Sequence, residues 1–388
     1  MPAGITRIPM RTASFPVGYH DLHRIKILDY QLNRWYSLGY LRLEDIQAAA
    51  ASIRGLADWK DGMVRLAEAA LSEGRVLNAT FLFRAAEFFV LPDDPDKRRL
   101  YHRFRELFYG RIAAGEPIEQ HAVPYAGKSL PAIRVRSQKG PARGTLVVHG
   151  GFDSFMEEFW SLAWYFADRG HDVVLFEGPG QGLALEEHRL PMTYQWEKPA
   201  KAVLDHLGLD DVTWMGISMG GWLCFRAAAF EPRIRRVVAS SIAFDYLQIP
   251  PRPIQWFARF LFRFPRLLNW LAKLKAKRMP QERWGLYNMM YIFQEDEPAA
   301  ASRKMLELNE ENQHADRVRQ DVLILTGAED HFIPLKMHRL QVKALSNVAS
   351  LTERIYTRAE QGHNHCQVGN FGLALDDIAG WIEEKRPR

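Results

Sequence analysis

The sequence predicts an α/β fold, in which a mostly parallel β-sheet carries helices on both faces. Three observations support this prediction. Apolar residues recur three and four positions apart through the N-terminal part, short apolar runs then alternate with helical segments, and a long aromatic-rich stretch separates the last two strands from the others. We therefore expect a helical N-terminal domain that contributes to a cap at residues 1–115. The core should comprise residues 116–244 and 317–388, and an inserted helical cap, residues 245–316, should lie between its two parts.

The helical N-terminal region is predicted between residues 21 and 108. Apolar positions such as Ile25 and Leu28 lie three or four residues apart, and this spacing places them on one face of a helix. Prolines and aspartates at residues 92–96 interrupt the pattern, and a further helix is predicted over residues 97–109.

The sheet is predicted to begin with a hairpin, residues 118–125 and 130–136, whose turn contains Gly127. The strands predicted after it are residues 145–148, 173–176, 212–215, 236–240, 322–326 and 351–357. The helices predicted among them are residues 157–169, 193–207, 222–229 and 374–385. Residues 245–316 are too many for a connecting loop, and their helical, aromatic-rich pattern predicts the inserted cap.

The charge and cysteine content exclude several classes of protein. The 51 basic residues nearly balance the 46 acidic ones, and no basic nucleic-acid-binding motif is present, so we expect no nucleic-acid partner. The two cysteines, Cys224 and Cys366, form neither a disulfide framework nor a metal-ligand pattern. Residues 1–9 lack the apolar core of a signal peptide, and no apolar run is long enough to span a bilayer. We therefore predict a cytoplasmic protein without a metal.

The motif that carries the most chemical information is G-x-S-x-G around Ser218. An apolar run begins at Val212 and leads into the motif, and an Ala-rich helical run follows it. A nucleophile elbow needs this order, because the serine sits on a strained strand-to-helix turn where only small flanking residues fit. Ser218 is therefore the candidate nucleophile, and an ordinary Gly/Ser turn is the alternative.

A serine nucleophile needs a base and a carboxylate, which should follow it in the order acid, then histidine. Glu329 and Asp330 follow the strand at residues 322–326, and we choose Asp330 because a turn that ends in proline presents the aspartate inward, with Glu329 as the fallback. His363 and His365 follow the last strand. Spacing alone does not choose between the two histidines.

Backbone N–H groups should stabilise the oxyanion that forms during acyl transfer. Met219, directly after the serine, is one expected donor, and Phe152 or Gly151 in the glycine-containing loop after the strand at 145–148 is the second. Residues 177–182 contain three glycines but no Lys-Ser/Thr pair, so we interpret them as a rigid turn near the pocket and not as a phosphate loop.

The inserted segment has an unusual composition. Residues 246–281 hold no acidic residue, and basic residues alternate there with aromatic ones. We expect the apolar face to pack on the core and cover an apolar or aromatic substrate. Contact with a membrane surface is the alternative. The candidate substrate-binding residues in this segment are Trp256, Trp284, Tyr287 and Met290. His363, from the loop after the last strand, which we call the histidine loop, is a further candidate.

These motifs together resemble the α/β-hydrolase superfamily from about residue 118 onward. Within it the chain is similar to the FrsA-like hydrolases, including 2,6-dihydroxypseudooxynicotine hydrolase and the fungal heptaketide-shortening hydrolases. The segments that carry this similarity are Phe83–Phe89, Gly150–Ser154 with Glu157–Glu158, Gly178–Gly182 and His365–Gln367.

The resemblance implies the α/β-hydrolase fold and assigns the base to His365, because in those proteins the histidine precedes a cysteine. It also implies a homodimer, no cofactor, and hydrolysis of an ester or of a C–C bond beside a ketone. An acyltransferase or peptidase with the same residues, and a non-catalytic binding protein with the same fold, are the alternatives.

Overall fold

The computed structural model describes residues 14–386. The prediction that no signal peptide is present rests on residues 1–9, which lie outside the described residues. Within residues 14–386, no helix has both the length and the apolar character needed to cross a bilayer.

Eight strands form one mixed sheet at the centre of the chain. They are β1 (Ile118–Tyr125), β2 (Lys128–Val135), β3 (Thr145–His149), β4 (Asp172–Phe176), β5 (Val212–Ile217), β6 (Ile234–Ser240), β7 (Asp321–Gly327) and β8 (Ser350–Tyr356). Their order across the sheet is β1-β2-β4-β3-β5-β6-β7-β8. The first hairpin is antiparallel, β2 pairs antiparallel with β4, and all other pairs are parallel. The carboxyl ends of β3, β5, β6 and β7 therefore meet at one edge, where open α/β sheets bind their ligands.

Helices cover both faces of this sheet, which confirms the predicted fold class. They are α6 (Trp160–Ala167), α7 (Gly182–Glu186), α8 (Glu197–Leu207), α9 (Met219–Ala228), α15 (Lys336–Ala344) and α16 (Phe371–Glu384). Adjacent strand residues face opposite sides: Val147 and Val237 pack with the apolar residues of α8 and α9, whereas Val148 and Val238 pack with those of α6 and α16.

The N-terminal region is helical, as predicted, and it shares one apolar core with the sheet. Its helices are α1 (Lys26–Ser37), α2 (Leu43–Ser52), α3 (Leu56–Ser72), α4 (Val76–Phe88) and α5 (Pro95–Leu107), and a π-helical turn, Phe108–Ile112, follows them. Trp35 and Phe81 from these helices belong to the same buried cluster as Val148 and Leu323 from the strands. This continuity fixes the N-terminal helices beside the edge where β3, β5, β6 and β7 end.

The inserted segment is also helical. It contains α10 (Arg252–Leu261), α11 (Pro265–Arg278), α12 (Pro280–Phe293), α13 (Pro298–Met305) and α14 (Glu310–Gln313). Trp284 of α12 anchors the segment, because its indole N–H donates to the backbone oxygen of Phe88 over 2.8 Å. The division of the chain at residues 115, 244 and 316 into domains stays a prediction, although elements change type near each of these residues.

The expectation that the apolar face of the insert packs on the core is wrong for α10. The side chain of Trp256 is 80% exposed and that of Phe257 is 57% exposed. No residue of α10 is buried, and the Gln255 amide donates to the carbonyl of Pro250, directly before the helix, over 2.8 Å. The outer side of α10 therefore faces solvent and not the sheet.

Candidate active site

Ser218 occupies a strained turn between β5 and α9. Its φ of 61° is rare for a residue with a side chain, and such strain costs on the order of 1–3 kcal/mol. A Cβ atom at Gly216 would overlap the carbonyl oxygen of Gly220, and one at Gly220 would overlap the carbonyl oxygen of Gly150. The two glycines of the motif are thus required by close backbone packing, and the turn presents the Ser218 hydroxyl at the carboxyl edge of the sheet.

Ser218, His365 and Asp330 form one chain of hydrogen bonds. The Ser218 Oγ lies 2.9 Å from Nε2 of His365, and Nδ1 of His365 lies 2.7 Å from Oδ2 of Asp330. Because a carboxylate only accepts hydrogen bonds, the His365 proton resides on Nδ1 and Nε2 is free to accept the serine proton. The other oxygen of Asp330 accepts the backbone amides of Phe332 and Ile333 at 2.9 and 2.8 Å.

The electrostatics of this chain favour a charged pair. Burial lowers the pKa of His365, but the Asp330 carboxylate raises it more, and the pKa ends well above its ordinary value. Burial raises the pKa of Asp330, whereas the charge and hydrogen bond of His365 and the two backbone amides lower it below the ordinary range. An imidazolium formed by proton transfer from Ser218 is therefore stabilised by its neighbour.

The two alternatives left open by the sequence lie away from the serine. Glu329 forms an exposed ion pair with Arg358. His363 is 4% exposed and packs edge-on against Tyr19, with ring centroids 6.0 Å apart, while its Nε2 lies 3.2 Å from the Asn364 amide nitrogen. The structure thus brings Asp330 and His365, and neither Glu329 nor His363, to Ser218.

The expected oxyanion donors lie beside the serine. The amide of Met219 begins α9, and a Cβ atom at Gly151 would lie 2.7 Å from that nitrogen, so the loop after β3 packs directly on the turn. Phe152 and Met219 line the same cavity as Ser218, whereas Gly151 does not. This arrangement favours Phe152 over Gly151 as the second donor.

The turn at residues 177–182 supports this loop. The Gln181 side-chain amide donates to the carbonyl oxygens of Gly150 and Gly151 over 2.8 and 3.2 Å, and its oxygen accepts the amide of Gly178 over 3.0 Å. A Cβ atom at Gly178, Gly180 or Gly182 would stand within 2.5 Å of Trp196, Met192 or Glu177 respectively, so the glycines of the turn are required by close packing.

Buried charges connect the same loop to the N-terminal helices. Arg84 of α4 bonds to Glu158 over 2.8 Å and also to Glu87 and to the backbone oxygen of Asp153. Arg34 of α1 bonds to Glu158 and, over 3.4 Å, to the Asp153 carboxylate. Each of these charges is compensated, and the network fixes the segment directly after Phe152.

A cavity of about 290 Å³ opens onto Ser218, and we call it the serine cavity. Most of its wall is apolar. Its polar part comes from α1 and from the segment after β3, besides Ser218 and His365 themselves; these polar residues are Tyr30, Gln31, Arg34, Ser37, Asp153, Ser154 and Glu158. The main apolar residues of the wall are Phe152, Ile217, Met219, Tyr246, Ile249, Trp284, Met305, Phe332, Ile333, Val368 and Phe371. In residues 14–386, no group of three or more His, Cys, Asp or Glu side chains is placed to hold a metal ion.

Of the residues predicted to bind substrate, only Trp284 lines this cavity. Trp284, Asn288 and Ile292 are four residues apart and form the buried side of α12, so Tyr287 and Met290 lie off that side and outside the wall. Trp256 faces solvent on α10, and His363 lies in a separate surface cleft.

The sequence analysis missed the α1 residues of the wall. The signal was weak, because α1 carries polar residues along its whole length and the sequence does not show that Gln31, which is 2% exposed, is buried. Buried polar residues on a helix indicate specific partners or a binding site. The hydrophobic spacing alone did not separate them from an ordinary core helix.

Comparison with known proteins agrees with this architecture. A sequence model described as "Alpha/beta hydrolase family" matches residues 145–368. The hydrolase acrC of Aspergillus aculeatus is 27% identical over 378 residues, covering 87% of this chain and 86% of that protein. The 20-hydroxy-prefusarin hydrolase FUS2 of Gibberella moniliformis is 30% identical over 279 residues, covering 66% of each chain.

Solved structures give the same result for the fold. The crystal structure of 2,6-dihydroxy-pseudo-oxynicotine hydrolase has a TM-score of 0.65 at 18% identity, covering 91% of this chain and 95% of that one. AbyA5 has a TM-score of 0.68 at 20% identity, covering 90% and 93%. These matches, together with the sequence relatives, confirm the resemblance drawn from the motifs.

Proposed function

The chain belongs to the alpha/beta hydrolase family and is a hydrolase, and we propose that Ser218 is its nucleophile, His365 its general base and Asp330 the carboxylate that orients the histidine. The observation that carries this proposal is the continuous chain of hydrogen bonds from Ser218 through His365 to Asp330, at 2.9 and 2.7 Å.

The reaction begins when the Ser218 hydroxyl gives its proton to Nε2 of His365 and its oxygen attacks the substrate carbonyl carbon. The resulting oxyanion accepts hydrogen bonds from the amides of Met219 and Phe152. His365 then returns the proton to the leaving group as the bond to the carbonyl carbon breaks. Water, deprotonated by the same histidine, attacks the acyl carbon, and His365 returns that proton to the Ser218 oxygen as the acid product leaves.

The substrate is an apolar, polyketide-like molecule with an ester or a ketone as its reacting group. Support comes from the apolar wall of the serine cavity, which includes Phe152, Trp284 and Phe332. One sequence relative is named for its action on 20-hydroxy-prefusarin, and one structural neighbour for its action on 2,6-dihydroxy-pseudo-oxynicotine. A cavity of about 290 Å³ is at the small end of the range for organic ligands, so we expect it to enclose the reacting part of the substrate.

The homodimer and the cytoplasmic location remain predictions. Light scattering of the purified protein tests the first, and fractionation of the source cells tests the second.

A fluorophosphonate probe tests the proposed nucleophile. The probe phosphonylates activated serines, so the wild type should be labelled at Ser218 and Ser218→Ala should not be labelled. Hydrolysis of short aromatic esters should fall at least about 1,000-fold in the same variant. Failure to label the wild type would contradict the proposal and favour a non-catalytic role. Equal labelling of both proteins would show that a nucleophile other than Ser218 reacts with the probe.

A further inference from the structure

Helices α10 and α11 present an exposed apolar surface, which we call the aromatic face and define by Trp256, Phe257, Phe260, Phe264, Leu267 and Trp270. Eight of the twelve large apolar side chains that are exposed in residues 14–386 lie between Ile254 and Met279. Concentration of exposed apolar residues in one segment indicates a surface that contacts something else.

The charged residues within the segment that carries the aromatic face are all basic, and two of them, Lys273 and Lys275, pair with Glu297 and Glu282 outside it. Residues 246–281 contain eight arginines and lysines and no acidic residue. Among the described residues, no carboxylate lies within 4.0 Å of Arg252, Arg259, Arg263 or Arg266. Their charges are therefore available to an anionic partner.

The helix geometry places these two features side by side. Trp256 and Phe260 are four residues apart and form one stripe of α10, while Arg252 and Arg259 are seven residues apart and form the neighbouring stripe. A helix with an aromatic stripe beside a basic one is suited to lie in the plane of a membrane interface, with its rings at the acyl boundary and its arginines at the phosphates.

We propose that the aromatic face docks the protein onto a membrane surface that contains anionic phospholipids. A second copy of the chain is less suitable as the occupant, because two-fold pairing of this face would bring the unpaired arginines of both copies together. The docked helix would also lie close to the serine cavity. Tyr246 and Ile249, directly before α10, line the serine cavity, so the docked helix lies next to its wall.

Vesicle sedimentation tests the proposal with the full-length protein. At about 0.1 M salt, the wild type should sediment with vesicles of equal parts phosphatidylglycerol and phosphatidylcholine and remain in solution with phosphatidylcholine alone. The variant Trp256→Ala/Phe257→Ala/Phe260→Ala should bind the anionic vesicles at least about tenfold more weakly. Arg252→Gln/Arg259→Gln/Arg263→Gln should show a similar loss.

A matched control separates this site from a general effect of charge. The variant Arg98→Gln/Arg99→Gln/Arg103→Gln removes three exposed arginines of α5 and should bind like the wild type. Three results would overturn the proposal: no sedimentation of the wild type with anionic vesicles, equal loss in the control, or unchanged binding by the variants of the aromatic face. Light scattering on the same proteins tests whether a second copy of the chain covers the aromatic face instead. If the aromatic substitutions converted a dimer to a monomer, the face would be assigned to a second copy.

Discussion

The hydroxyl of Ser240 donates a hydrogen bond of 2.9 Å to the side-chain oxygen of Gln367, two residues after His365. The backbone oxygen of the same Ser240 accepts the amide of Ser218 over 2.8 Å. The next residue, Ser241, accepts the amide of Cys366 over 2.8 Å. The end of β6 therefore connects the turn that holds Ser218 to the loop that holds His365 and fixes the distance between them.

This connection predicts a kinetic effect for Ser240→Ala. The substitution leaves the buried Gln367 oxygen without its donor, which costs about 1–3 kcal/mol of unfolding free energy. Because His365 is then less firmly held, we expect kcat to fall roughly tenfold while KM stays near its wild-type value. Steady-state kinetics with an aromatic ester measure both constants. A change in KM alone would show that Ser240 does not position the histidine loop.

Gly151→Ala should impair the oxyanion site. The added Cβ atom would lie 2.7 Å from the Met219 nitrogen, 2.8 Å from the Met219 Cβ atom and 2.9 Å from the Gly220 nitrogen, and these atoms close to the backbone leave little room for adjustment. We expect kcat/KM to fall about 100-fold, the effect of losing one oxyanion donor. The control is Gly380→Ala on α16, where no atom lies within 4 Å of the new methyl group. Equal activity of the two variants would contradict the expected close contact.

The pH dependence of kcat/KM should report His365. The histidine must be neutral to accept the Ser218 proton, and Asp330 raises its pKa above the ordinary value of 6.5, so activity should rise with pH along a limb centred above 6.5. Asp330→Asn removes the negative charge, so the limb should move to lower pH while the maximal rate falls about 10,000-fold. A pH profile of both proteins checks this. If the limb moved to higher pH in Asp330→Asn, the proposed effect of Asp330 on the pKa of His365 would be contradicted.

The three residues that the structure brings together could be picked out in the sequence because most of their signals are local. The elbow around Ser218 is recognisable from the glycines that its backbone packing requires, and Asp330 follows the buried apolar strand β7. His365 follows β8, an edge strand with polar and partly exposed residues. Choosing His365 over His363 needed the family resemblance, because both residues lie in the same loop and the choice depends on its three-dimensional path.

The parts that the sequence did not predict depend on tertiary contacts. An amphipathic helix has the same pattern whether its apolar side meets a core or solvent, so α10 was assigned to the core although Trp256 is exposed. Helix α1 was predicted, but its place in the wall of the serine cavity depends on how the N-terminal region packs on the sheet. Helices α7 and α15 are short and had no strong periodic signal.

The buried charge network predicts a stability effect for Arg84→Met. Arg84 is 1% exposed and bonds to Glu158, Glu87 and the Asp153 backbone, so its removal leaves buried acceptors without their partner. We expect the free energy of unfolding to fall by about 3–5 kcal/mol. Arg98→Met, which removes an exposed arginine of α5, should change it by no more than about 0.5 kcal/mol. Urea denaturation measures the free energy of unfolding of both variants. Similar decreases for Arg84→Met and Arg98→Met would argue against a specific role for the buried network.

The central claim is that Ser218 is activated by His365 and Asp330, and the two histidines of the same loop test it most directly. His365→Ala and His363→Ala should be compared by kcat/KM for an aromatic ester, after circular dichroism has shown that both are folded. We predict a loss of at least about 1,000-fold for His365→Ala and less than about tenfold for His363→Ala. A large loss for His363→Ala with activity retained in His365→Ala would contradict the account.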